Sequence, residues 1–331
     1  MSKIYRSICI ALICVLAVSV TAGFSWPKKG NPDEAYPEKE IRIILPYSAG
    51  GQSDLLARKV AEIIEKKKLL SKPVVIVNIA SGNTVDGIKT VKDSKNDGYT
   101  LLFHHTGFLT VKALGSMSIS YTDLDMVAEL VEQPFIIVAR KDAPWSNIKE
   151  ALEDAKKNPG KISIGFAGFG GAGHFALLNF LATTKSAKYF KQVPYKGGAE
   201  AIIAQIGGQI DLRISNAADA FRYIKAGQIK TLALLSQNIS QDFPNVMNMY
   251  DLGIKQSIVL RSGVFVSKST PKGIKEKLAN VLKDAVESSE FQEFAREQGG
   301  VVTYRTAAAW QRVFAQDQKV IEALAKSLKK K

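Results

Sequence analysis

Cysteine is almost missing from this 331-residue chain: the two that occur, Cys9 and Cys14, stand close to its start, and none follows. The remainder has no disulfide framework, no thiol nucleophile and no CxxC metal site. Histidine is nearly as scarce. His104, His105 and His174 are the whole complement; they show no HxxxH spacing, and neighbours on a strand point to opposite faces, so they supply no histidine metal site. Neither a GxSxG elbow nor a GKS/T phosphate loop occurs. With no catalytic constellation and no cofactor or metal motif, the residues lend catalysis no support, although carboxylates and serines are plentiful.

Acidic residues are also in short supply, 31 against 45 lysines and arginines, for a formal charge of +14. The basic residues are spread over helix faces and helix ends, such as Lys66 to Lys68 and Lys329 to Lys331, without interleaved aromatics. No nucleic-acid partner is expected, and a positive field of this kind draws small anions. No segment beyond the N-terminal stretch approaches the roughly 20 apolar residues of a membrane span.

That stretch, residues 1–22, has Lys3 and Arg6, an apolar core from Ile8 to Val20 and the small-residue site Val20-Thr21-Ala22. It reads as a secretory signal peptide cleaved near Ala22, which places the mature protein in the periplasm. Neither cysteine is preceded by the small residue a lipobox needs, so no lipid anchor is expected. Residues 23–35 form a spacer.

The chain is then organised around Ile41 to Ile64. Ile41, Ile43, Ile44 and Leu45 make a strand that Pro46 ends, and Leu56, Val60, Ile63 and Ile64 recur at helical spacing. Between them lies Tyr47-Ser48-Ala49-Gly50-Gly51-Gln52, with Ser53 or Asp54 as the helix cap. Paired glycines bring backbone close to a ligand, and a helix N-terminus favours an anion. Strands and helices go on alternating, which implies α/β architecture with mainly parallel sheets. Loops after the strands gather at one sheet edge, including Asn83, Thr84, His104 and Thr106. A second half begins near Phe135 to Arg140, and the strand, Gly-Gly, helix design recurs at Lys196-Gly197-Gly198.

Gly168-Phe169-Gly170-Gly171-Ala172-Gly173 satisfies GxGxxG between a strand and a helix. It is not a dinucleotide fingerprint, because no Asp or Glu occurs between His174 and Ala199 to hold a ribose. Its glycines instead expose amides at a second helix N-terminus, to bind an anion or to make a tight turn.

Several stretches together resemble one family, the periplasmic Bug-type receptors of tripartite tricarboxylate transporters. Tyr36-Pro37 through Asp54, Asp97-Gly98-Tyr99-Thr100-Leu101-Leu102, Val193-Pro194-Tyr195-Lys196-Gly197 with Gly208-Gln209-Ile210-Asp211, and Ala226-Gly227-Gln228-Ile229-Lys230 carry the likeness, in order and over nearly the whole mature chain. The resemblance implies a two-domain, type II periplasmic-binding-protein (venus-flytrap) fold. Domain 1 would comprise residues 36–138 and 258–331, and domain 2 residues 139–257. It implies capture of a small carboxylate between two loops, Tyr47 to Gln52 and Ala167, Gly168, Gly170 and Gly171 with His174. Lys196 and Gly197 lie nearby, and Asn83, Thr84, His104, Thr106, Ser215 and Asn216 line the cleft. The partners implied are the carboxylate and the membrane subunits of the transporter, with the receptor a monomer.

Arg261 departs from the family, which often has Trp two residues before the glycine found here as Gly263. Two readings stay open for it, pairing with a second ligand carboxylate or lying at a tolerant surface position. Two other functions also stay open on sequence: a ligand-sensing protein for a membrane signalling partner, and an exported α/β enzyme acting on an acidic metabolite.

Overall fold

A computed structural model describes residues 35–81, 84–236, 245–248, 250–255 and 258–328. The signal-peptide region, Asn83 and Lys329 to Lys331 lie outside these residues. By contacts the chain divides into Met1–Tyr36 and Pro37–Lys331, and both sheets belong to the second unit.

The first sheet starts with three βα units: β1 (Ile41–Leu45), α1 (Gln52–Lys66), β2 (Val74–Asn78), α2 (Val85–Lys92), β3 (Thr100–His104) and α3 (Gly107–Ala113). Helix α1 forms because Leu56, Ala57, Val60, Ile63 and Ile64 recur on one face, and all are buried. β4 (Leu124–Gln133), β10 (Leu260–Ser267) and β11 (Val301–Thr306) complete the sheet in the order β11-β4-β10-β3-β1-β2. The βα strands pair in parallel, as their helical crossovers require, whereas β10 and β11 pair antiparallel.

The second sheet, ordered β7-β6-β8-β5-β9, repeats the arrangement with β5 (Phe135–Arg140), β6 (Ile162–Ala167), β7 (Phe190–Tyr195), β8 (Leu212–Asn216) and β9 (Ile229–Leu235). Its helices are α4 (Ile148–Lys157), α5 (Ala172–Thr183), α6 (Gly198–Ile206) and α7 (Ala217–Lys225). β6, β7 and β8 are parallel, and β5 runs antiparallel between β8 and β9.

Pro134 alone separates β4 in one sheet from β5 in the other. The crossing therefore falls at Pro134 and not at the expected 138/139 boundary, because Phe135 to Arg140 pair along their whole length within the second sheet. The chain returns before β10, whose strand partners, β3 and β4, lie in the first sheet. Helices α8 (Lys272–Val286), α9 (Ser289–Glu297) and α10 (Ala307–Leu328) follow. Trp310 and Phe314 of α10 pack on Phe265 of β10, and one apolar cluster runs from these rings to Phe135, Phe166 and Phe175 of the other half.

Candidate functional site

Three helices start at strand ends on a glycine: α1 on Gly51, α5 on Gly171 and α6 on Gly197, none with a side-chain cap. The expected cap from Ser53 or Asp54 is not made. Asp54 instead reaches back to accept the Gly50 amide at 2.9 Å, and Ser53 makes no cap. The first amides of each helix therefore lack an intrahelical partner and point outward from the strand end.

The first two loops share one conformation. Gly50 and Gly170 both sit at φ +78, a left-handed setting that favours glycine. Gly51 donates to Ser48 O and Gly171 to Gly168 O. In the second loop His174 Nδ1 accepts the Gly170 amide at 3.1 Å, and the third follows suit with Glu200 Oε2 accepting the Lys196 amide at 3.1 Å. Each loop is thus tied to a side chain four residues downstream. Asp54 is buried and also accepts from Arg58 and Asn78, while Asn78 donates to Tyr47 O, so the Tyr47 to Gly51 turn is braced from behind. Those hydrogen bonds and the Arg58 charge outweigh the cost of burial and hold the Asp54 carboxyl below its ordinary range. His174 stacks on Phe166 at 4.3 Å, and burial pushes its pKa down to about 4, so it is neutral at pH 7.

A cavity of about 490 Å³ brings Gly50 and Gln52 together with Gly198, Asp219, Arg222 and Gln298. Across it the Tyr47 to Gln52 loop faces the starts of α6 and α7. The Gly168 to Gly171 loop is not among its walls; Gly170 packs instead against Leu114, just beyond α3. Gln52 lends its side-chain amide to Gln298 O at 2.8 Å.

Ser48, Ala49 and Gly50 are exposed, as is Lys196, and Ala167, Gly168 and Gly197 are partly so. Thr84 is left-handed at φ 76 and leaves its hydroxyl without a partner. Asn216 caps α7 through Oδ1 and keeps its buried Nδ2 unpartnered, whereas Ser215 bonds Asn216 O. His104 and Thr106, expected on the cleft wall, are 0% exposed. His104 turns into the core against Phe108, and Thr106 is held between Val259 O and the Arg261 amide. The residue between them, His105, is the partly exposed one. Sequence placed adjacent histidines on opposite faces, but which one faces out depends on where β3 ends.

Neither reading of Arg261 holds. It is buried, with Asp317 at 2.8 Å, Glu132 at 2.9 Å and Glu129 at 3.7 Å. Arg305 closes the group on Glu129 and Glu132, so the guanidinium is committed between the first sheet and α10.

Two α/β sheets, connected by a chain that crosses at Pro134 and returns before β10, with uncapped helix starts at their strand ends, have the architecture of a solute-binding protein. The chain belongs to the TctC family, described as the tripartite tricarboxylate transporter family receptor, whose pattern matches residues 56–328. It is therefore a solute-binding receptor of that transport system. A TctC solute-binding protein from Polaromonas is 28% identical with a TM-score of 0.79, over 88% of this chain and 99% of that one. The periplasmic binding protein BugD is 30% identical with a TM-score of 0.68, over 89% and 98%. MatC from Rhodopseudomonas palustris, with bound malate, shares the fold at 23% identity and a TM-score of 0.70, over 88% and 100%. Among the described residues no helix is long and apolar enough to cross a membrane.

Proposed function

We propose that this protein is an exported, monomeric and non-catalytic receptor that captures a small carboxylate between its lobes and hands it to the membrane subunits of a tripartite tricarboxylate-type transporter. Export would proceed through residues 1–22, and the lobes would be the two domains expected from the sequence, with their first boundary moved from 138/139 to Pro134. The observation that carries the reading is the set of three glycine-begun, uncapped helix starts. They offer backbone N–H groups to an anion, with the binding free energy divided between lobes so that closure follows capture. Malate in MatC is consistent with such a ligand. The proposed contacts are the exposed Ser48 to Gly51 amides, the Gly168 to Gly171 loop, Gly197 and Asn216 Nδ2, with Thr84 on the remaining wall.

A thermal-shift screen tests this. Succinate, malate, glutarate, adipate, citrate and benzoate are compared with glucose and with magnesium chloride. At least one acid should raise the melting temperature. Stabilisation by the sugar or the metal alone would refute the carboxylate reading.

A further inference from the structure

His105 is fixed on three sides. Its ring stacks on Tyr47, centroids 4.9 Å apart and planes 13° from parallel. Its Nδ1 accepts the Gly107 amide at 2.9 Å. Gly107 itself makes room for the ring, since a Cβ there would stand 2.7 Å from His105 Cε1. A ring nitrogen that accepts an amide N–H carries no proton, so in the neutral imidazole the proton sits on Nε2. Burial, with the His104 ring beside it, pushes the His105 pKa down to about 3. The ring is neutral at pH 7, and among the described residues no protein group accepts its Nε2–H.

We infer that His105 is a specificity-determining residue of the cleft, presenting a rigid Nε2–H donor to a ligand oxygen beside the Ser48 to Gly51 loop. The inference rests on the carboxylate reading above and adds a rule of selection to it. A neutral ring in this tautomer only donates through Nε2, so it meets a carboxylate, hydroxyl or carbonyl oxygen and leaves an ammonium without a partner. Asp54, the nearest acid in the loop's own sequence, is already taken by Gly50, Arg58 and Asn78 and offers the ammonium no substitute. Tyr47 and His104, which also face the ring, are uncharged at pH 7 because burial raises the phenol and lowers the imidazole. Hydroxy and unsubstituted acids should therefore be preferred to amino acids, malate over aspartate for instance.

Two replacements separate the donor from the brace. His105→Asn keeps an acceptor for the Gly107 amide and loses the Nε2–H, whereas His105→Gln restores an N–H near that position. Calorimetry with succinate, malate, adipate and aspartate should show the tightest-bound acid weakened roughly tenfold or more in H105N and by no more than about threefold in H105Q. Unchanged affinity in H105N overturns the inference while leaving the carboxylate reading standing. Failure of the unsubstituted protein to bind any of these acids overturns both. Imidazole nitrogen NMR of the unsubstituted protein provides an independent check: the Nε2–H tautomer is expected at His105, and an Nδ1–H tautomer would refute the assignment.

Discussion

Asp54 holds Gly50 in place, its Oδ2 accepting the glycine amide at 2.9 Å. His174 does the same for Gly170 in the other lobe, at 3.1 Å. The two braces differ in charge. Asp54 is an acid in the first turn of α1, where it draws on part of that helix's N-terminal field, while α5 has no acid in its first turn. On the proposed reading the Gly168 to Gly171 loop would be the stronger anion seat of the pair, although sequence drew attention first to Gly50 and Gly51.

Removing the Asp54 carboxylate should loosen the first loop and the strand behind it. Asp54→Ala deletes acceptors for Gly50, Arg58 and Asn78 at a buried site, a loss of about 2–4 kcal/mol in urea unfolding. Asp54→Asn keeps part of that set and should fall between. Stability equal to the unsubstituted protein in D54A would mean the brace is not formed.

Gly50 and Gly51 are neighbours with different tolerances. Gly50 sits at φ +78, so Gly50→Ala should cost about 1–2 kcal/mol, whereas Gly51, at φ −74, should accept alanine with a smaller loss. Gly50→Val should also abolish the melting shift produced by the best acid. A full shift in that variant would remove the loop from the site.

Acid should destabilise the fold. His104 and His174 are held near pKa 4 by burial and His105 near 3, below the ordinary value of about 6.5. Between about pH 6.5 and 4 the unfolded chain takes up protons that the folded chain refuses, so stability falls with pH, on the order of 1 kcal/mol per unit for each buried histidine. Glu129 works in the opposite direction. Burial raises it to about 7 in spite of Arg261 and Arg305, so the folded chain keeps its proton and gains as pH falls from about 7 towards 4.5. Three histidines outweigh one carboxyl. The urea midpoint should drop between pH 6.5 and 4.5, and a flat or rising midpoint would show that the rings are not buried neutral.

Arg261→Met should be a stability variant with no ligand phenotype. It leaves Asp317 and Glu132 buried with part of their countercharge gone, a cost of about 3–5 kcal/mol. Affinity for the best acid, measured under conditions where the variant is folded, should stay within about threefold of the parent. A tenfold loss would return Arg261 to the cleft.

The βα units were legible because their signals are local. The strand, glycine and helix patterns around Gly51, Gly171 and Gly197 lie within short windows, and each gives a helix that starts on the named glycine. β4 was not legible. Leu124 to Gln133 carries Asp125, Glu129 and Glu132 and shows no alternation, since Glu129 and Glu132 are buried against arginines from β10 and β11, far away in sequence. The same distant pairing hid the role of Arg261. At the site, backbone-built features could be read, but the orientation of His104, His105 and Thr106 could not, because it turns on the last residue of β3 and on a bond from Thr106 to Val259.

Backbone N–H groups in the cleft are proposed to hold a carboxylate for its negative charge. Calorimetric titration with the best acid from the screen, beside its uncharged amide of the same length, tests this most directly. The acid is expected to bind and the amide not to bind at the same concentration; equal binding of the two would overturn the proposal.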